Sequence, residues 1–102
     1  MKVEIDDRNS RVRVESNGRI VIDFQGFPAA ELTIQLREWV NIVDDKTATS
    51  FIFQSIHPEW FATFRIVPRP ELWQFSSWKE RFHSPELLSL DEWKYVLQSA
   101  GV

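Results

Sequence analysis

The chain contains no cysteine among its 102 residues. Disulfides, zinc–thiolate sites and a thiol nucleophile are thereby excluded. The reducing cytoplasm is the expected compartment, because small secreted domains often depend on disulfides. Glycine is scarce: Gly18, Gly26 and Gly101 are isolated, so no glycine-rich phosphate loop is present. The only histidines are His57, before Pro58, and His83, before Ser84-Pro85. They lack the spacing of paired metal ligands, so neither a metal nor another cofactor is expected. No apolar run approaches the roughly 18 residues that would mark a membrane-spanning helix. Met1-Lys2-Val3-Glu4-Ile5-Asp6-Asp7 lacks the apolar stretch of a signal peptide. A basic excess is also missing, with 12 Lys and Arg against 15 Asp and Glu and a net charge of −3. Nucleic-acid binding draws on a basic field that displaces counterions, so nucleic acid is not the expected partner.

What the chain has in plenty is aromatic side chains, 14% of the total, with five Trp and eight Phe. A length of 102 residues and a hydrophobic content of 43% fit one domain spanning 1–102. Thirteen large rings exceed what a core of that size is expected to hide, and a surplus of rings points to a contact surface.

Val3 and Ile5 alternate with charges and predict a first strand. Val12 and Val14, then Ile20, Val21 and Ile22, flank Ser16-Asn17-Gly18. A three-residue loop pairs Val14 with Ile20 and Val12 with Ile22, placing the apolar set on one face with Gly18 left-handed in a bulge. Gly26-Phe27-Pro28 closes this hairpin and opens a helix, along which Leu32, Leu36, Trp39, Val40 and Val43 recur at helical spacing. Strands follow at 50–56, 61–67 and 72–78. Ser89-Leu90-Asp91-Glu92 is a capping box, with Leu88 and Trp93 placed to close a hydrophobic staple and Gly101 as the C-terminal stop. The expectation is an α+β fold: an antiparallel sheet with two helices packed on one face, in the order β-β-β-α-β-β-β-α.

The registers of the last three strands sort their side chains. Phe53, Phe64 and Phe75 form one inward row, and Phe51, Ile66 and Trp73 a second. The opposite face then carries Ile56, Phe61 and Trp78 at one end. Gln54, Thr63 and Ser76 follow, then Ile52, Arg65 and Gln74, and finally Val67 and Leu72. Either the N-terminal strands cover these rows as a second core, or the face binds something, a second copy of the chain included.

Tests for chemistry return little. Asp6-Asp7, Asp44-Asp45 and Asp91-Glu92 are paired acids, but all fall in turns or at a helix start, where solvation, turn-making and the helix dipole account for them. No serine elbow occurs. Arg65, Arg69, Lys79 and Arg81 lie among Trp73, Trp78 and Phe82, the mixture that builds a stacking platform for single strands, yet Glu71 and Glu80 dilute the charge.

Phe51-Ile52-Phe53-Gln54-Ser55-Ile56, Trp73-Gln74-Phe75-Ser76-Ser77-Trp78 and Leu88-Ser89-Leu90-Asp91-Glu92-Trp93 together resemble small bacterial families of α+β proteins of uncharacterised function. Some of their relatives look like immunity proteins encoded beside polymorphic toxins. The resemblance extends over residues 27–100 and rests on structural rather than chemical motifs. It implies a bacterial cytoplasmic protein that binds another protein.

The functional expectation is therefore a non-enzymatic protein-binding module, with toxin neutralisation as its narrower form. The binding residues are Phe61 and Trp78 as anchors, Arg65 as polar reader and Ile56 as packing neighbour, with Gln54 and Gln74 beside them. The partner is another protein, a basic toxin in the narrower form, or a second copy in a homodimer. Neither nucleic acid nor a membrane is expected. The alternative is a small-molecule pocket between the long helix and the sheet, lined by Trp39, Trp60 and Trp73.

Overall fold

Alternating apolar and charged residues build the first sheet. In the computed structural model, which describes residues 1–69, 72–77 and 82–102 (82–85 by backbone alone), β1 (Lys2–Asp6), β2 (Arg11–Ser16) and β3 (Arg19–Gln25) pair antiparallel in that order. Val3, Val12, Val14, Ile22 and Phe24 are buried on one face. The intervening Glu4, Arg11, Arg13 and Asp23 take the other, as a period of two requires.

The turn between β2 and β3 corrects the expected three-residue loop. Ser16 pairs with Arg19, which leaves Asn17 and Gly18, at φ 54° and 77°, as a two-residue turn. The mismatch this creates is absorbed one step further on. Glu15 pairs with Ile20 but Val14 with Ile22, so Val21 is an extra residue, and this bulge returns Ile22 and Phe24 to the buried side. Ile20, expected inside, is 49% exposed.

Pro28 stands at the N-cap position of the first helix, α1 (Ala29–Ile42), without a side-chain capping bond, and Leu32, Leu36 and Trp39 form its buried stripe. Trp39 Nε1 donates to the Thr49 carbonyl at 2.8 Å, which brings the chain back toward the core.

The second sheet has the order β4 (Phe51–Ile52), β5 (Arg65–Arg69), β6 (Leu72–Ser77) and β7 (Phe82–Leu88), all antiparallel. Phe51 faces Ile66 as expected. Between β5 and β6 the register is displaced by two residues, with Ile66 opposite Phe75 and Arg69 opposite Leu72. A one-residue slip would have turned every side chain over, but a two-residue slip keeps each on its face. Phe51, Phe64, Ile66, Trp73 and Phe75 are accordingly all buried.

The expected strands at 50–56 and 61–67 are shortened at their shared end. Phe53 donates to the Phe64 carbonyl at 3.0 Å but accepts from Ala62 N at 2.9 Å, and the ladder stops there. Pro58 disfavours continued pairing and starts a single 3-10 turn, Pro58–Trp60. β7 is a strand that the sequence pattern does not signal. It lies at the sheet edge, where proline is tolerated, and residues 84–86 lie opposite Phe75 alone, so Pro85 falls where the ladder is already interrupted.

The second helix, α2 (Leu90–Ser99), starts with the expected capping box. Glu92 N donates to Ser89 Oγ and Ser89 N to Glu92 Oε1, each at 3.1 Å. Leu88 and Trp93 are both buried. The α+β class and the expected element order hold, with β7 added before the last helix and the strands divided between two sheets. One core serves both sheets. Phe27, at the junction of β3 and α1, meets Phe53 at 5.1 Å, and Trp39 from α1 meets Trp73 at 5.7 Å.

Candidate functional site

The period of two fixes which residues lie on the side of the second sheet away from the core. They are Ile52, Arg65, Val67, Leu72, Gln74, Ser76 and Leu87. Ile52 and Leu87 are each 41% exposed, Arg65, Val67, Leu72 and Gln74 are half-buried, and Ser76, opposite Arg65, is buried. The N-terminal strands do not cover this face: their apolar side joins the single core on the inner side.

The segment between β4 and β5 carries two further exposed apolar side chains. Ile56 is 85% exposed and Phe61 49%. The segment is tied down at several points. The Gln35 side chain of α1 acts as a strand would, donating to the Gln54 carbonyl at 2.6 Å and accepting from Gln54 N at 3.0 Å. His57 N donates to Ser55 Oγ at 3.1 Å, and Thr63 Oγ1 donates to the Trp60 carbonyl at 2.7 Å. The Trp60 ring packs on Phe24 at 5.6 Å and Phe27 at 5.1 Å. Ala62 is held at φ 58°, a left-handed conformation costing an alanine on the order of 1 kcal/mol, which these ties offset.

Ile56 and Phe61, expected as cross-strand neighbours, are instead both on this segment. Gln54 also lies there, its backbone held by Gln35. Arg65 and Gln74 lie on the strand face, opposite Ser76 and Val67 respectively. Trp78 lies outside the described residues. Arg65 Nε is buried with no hydrogen-bond partner.

The expected surplus of rings is smaller than the composition implies. Six Phe and three Trp rings are buried, and Trp60 packs against the core from its rim. Phe61 is the described ring among Trp and Phe that is markedly exposed. Nor do Trp39, Trp60 and Trp73 share one cavity wall. Trp39 and Trp73 meet edge-on inside the core, whereas Trp60 belongs with Phe24 and Phe27.

Sequence reasoning missed a cleft of about 340 Å³ where Ser10, Gly26 and Pro28 meet His57, Glu59 and Trp60. No local motif could have shown it, because it joins three separate turns. Among the described residues no three acidic or histidine side chains converge as metal ligands. The acids with displaced pKa values lie elsewhere and have local causes. Asp44 is held below its usual value chiefly by the backbone N–H of Thr47, Asp6 by the Asn9 side chain, and Asp23 by the Arg11 guanidinium. No helix among the described residues is long and apolar enough to cross a membrane.

No curated protein and no solved structure matches the chain significantly. Residues 3–99 match the family described as Domain of unknown function (DUF7878), and the chain belongs to that family.

Proposed function

We propose that this domain is a non-enzymatic protein-binding module. Its contact surface is the outer face of the second sheet together with the segment that carries Ile56 and Phe61. The observation that carries the reading is the exposure of Ile52 and Leu87 on the outer face of the second sheet and of Ile56 and Phe61 on the segment between β4 and β5, in a chain that buries nearly all its other described rings. Exposed apolar side chains are enriched at contact sites, and aromatic and arginine side chains dominate the binding energy of interfaces. The segment is rigid in its ties to α1 and the core, so little ordering entropy opposes docking. In the narrower form of the reading, the partner is a basic toxin that the net charge of −3 steers toward the domain.

The test is affinity capture from the cells that make the protein, comparing the parent with Phe61→Ala and Ile56→Ala. A defined partner retained by the parent and lost from both variants, at unchanged melting temperature, is the expected result. Early melting of Phe61→Ala would assign that ring to the core, and equal retention by all three proteins would remove the reading. A mass measurement in solution identifies the case in which the partner is a second copy.

A further inference from the structure

The outer face of the second sheet is one-sided in charge. Its described strand residues include Arg65 at the centre and Arg69 at one end, and no carboxylate. Arg69 is engaged locally: its Nη1 donates to the Pro68 carbonyl at 3.1 Å, and it lines a cleft with Asp45. Arg65 is different. No described acid pairs with it, whereas Arg13, whose Nε is likewise buried without an acceptor, has Glu4 beside it, and Ile52 and Val67 flank Arg65 in the sheet. A guanidinium in such surroundings gains most from a carboxylate, which matches its paired donors and strengthens the bond once water is excluded.

We propose that Arg65 recognises a carboxylate of the partner: this face docks an apolar segment of another protein that carries an Asp or Glu among its contact residues. The inference rests on the protein-binding reading and specifies the chemistry of the partner. Nucleic acid fits the face less well, since its affinity grows with the number of phosphates neutralised and a single central cation meets one. The net charge of −3 acts at long range and steers the approach; the contact at Arg65 is short-range and independent of it.

Random peptides displayed on phage are selected on the full chain. The enriched peptides are then titrated in solution against the parent, Arg65→Gln, Arg65→Lys and Phe61→Ala. The expected peptides share an acid beside apolar side chains. Replacing that acid by its amide weakens binding about tenfold, Arg65→Gln does the same, and the two changes together cost little more than either alone. Should Arg65→Gln melt early, Arg65→Lys, which keeps the charge but loses the planar fork, is the deciding variant, with a smaller loss expected. Peptides without a shared acid, or peptides indifferent to both Arg65 variants, overturn the assignment. If those peptides still lose binding to Phe61→Ala, the protein-binding reading stands and only the carboxylate fails. If they are indifferent to Phe61→Ala as well, or if none is enriched, both fail. A single-stranded oligonucleotide that binds the parent and not Arg65→Gln also overturns the proposal.

Discussion

The two sheets share a core but treat their outer faces in opposite ways. On the first, charges are paired across strands. Arg11 makes a two-point contact with Asp23 at 2.8 and 2.7 Å, and Glu4 takes Lys2 at 3.0 Å and Arg13 at 3.6 Å. On the second, Ile52 and Leu87 face outward and Arg65 has no described acid beside it. Pairs like those on the first face add little stability individually. Their effect is to leave each of these charges on that face beside an opposite one, although Arg13 Nε, like Arg65 Nε, is buried without a hydrogen-bond partner. The second face has the opposite character, and that difference locates the candidate surface.

The contrast can be broken or sharpened by substitution. The largest effect belongs to the shared core. Phe27→Ala removes a fully buried ring that meets Phe24 at 5.8 Å and Phe53 at 5.1 Å, and should cost about 3–5 kcal/mol in urea unfolding. Both sheets should melt in one transition; a separate transition for the second sheet would mean that the sheets are independent units. Next, Gln35→Ala frees the backbone of Gln54 and should cost about 1 kcal/mol. Amide exchange should quicken at Gln54 and stay unchanged in β1–β3, and a uniform change would contradict the local role of the clamp. Ser89→Ala, which breaks the α2 capping box, should cost a similar amount of about 1 kcal/mol, seen in thermal melting. Leu87→Lys on the outer face of the second sheet should shift stability by no more than about 0.5 kcal/mol. A larger loss would show that Leu87 is packed rather than presented.

The smallest effect lies on the first face. Arg11 holds the Asp23 carboxyl below its usual value, so the folded state binds that proton less readily than the unfolded chain does. The resulting stability is complete above the unfolded carboxylate pKa of about 4 and is lost as pH falls through the lowered folded value. Arg11→Met should therefore differ most from the parent near neutral pH and converge with it in acid. A difference that persisted at the acid end would point to lost packing instead of lost charge.

Much of this architecture is legible from local patterns. The α2 capping box, the α1 stripe of Leu32, Leu36 and Trp39, and the Phe51–Ile66 register each rest on side chains a few residues apart or on a simple period. Structure departs from local pattern where two local rules compete. At Asn17-Gly18, turn chemistry and face alternation disagreed, and the bulge at Val21 satisfied both. At 50–56, alternation predicted a strand that Pro58 and the Gln35 clamp ended early. β7 was hidden because Pro85 argues against a strand everywhere except at an edge, and edge position is a property of the assembled sheet. For the surface, parity of position was enough to place Arg65, Gln74 and Ile52 outward. The placement of Ile56 and Phe61 depended on a segment shaped by contacts with α1 and with Phe24 and Phe27, far away in sequence.

The sequence by itself determined the class, the order of the elements other than β7 and the apolar side of most strands, because these follow from periodicity and capping between near neighbours. Only the tertiary structure decided that two sheets share one core, that most described rings are consumed in it, and that Arg65 lies half-buried on the outer face with no described acid beside it. Those outcomes depend on which distant residues meet, and no local period encodes that.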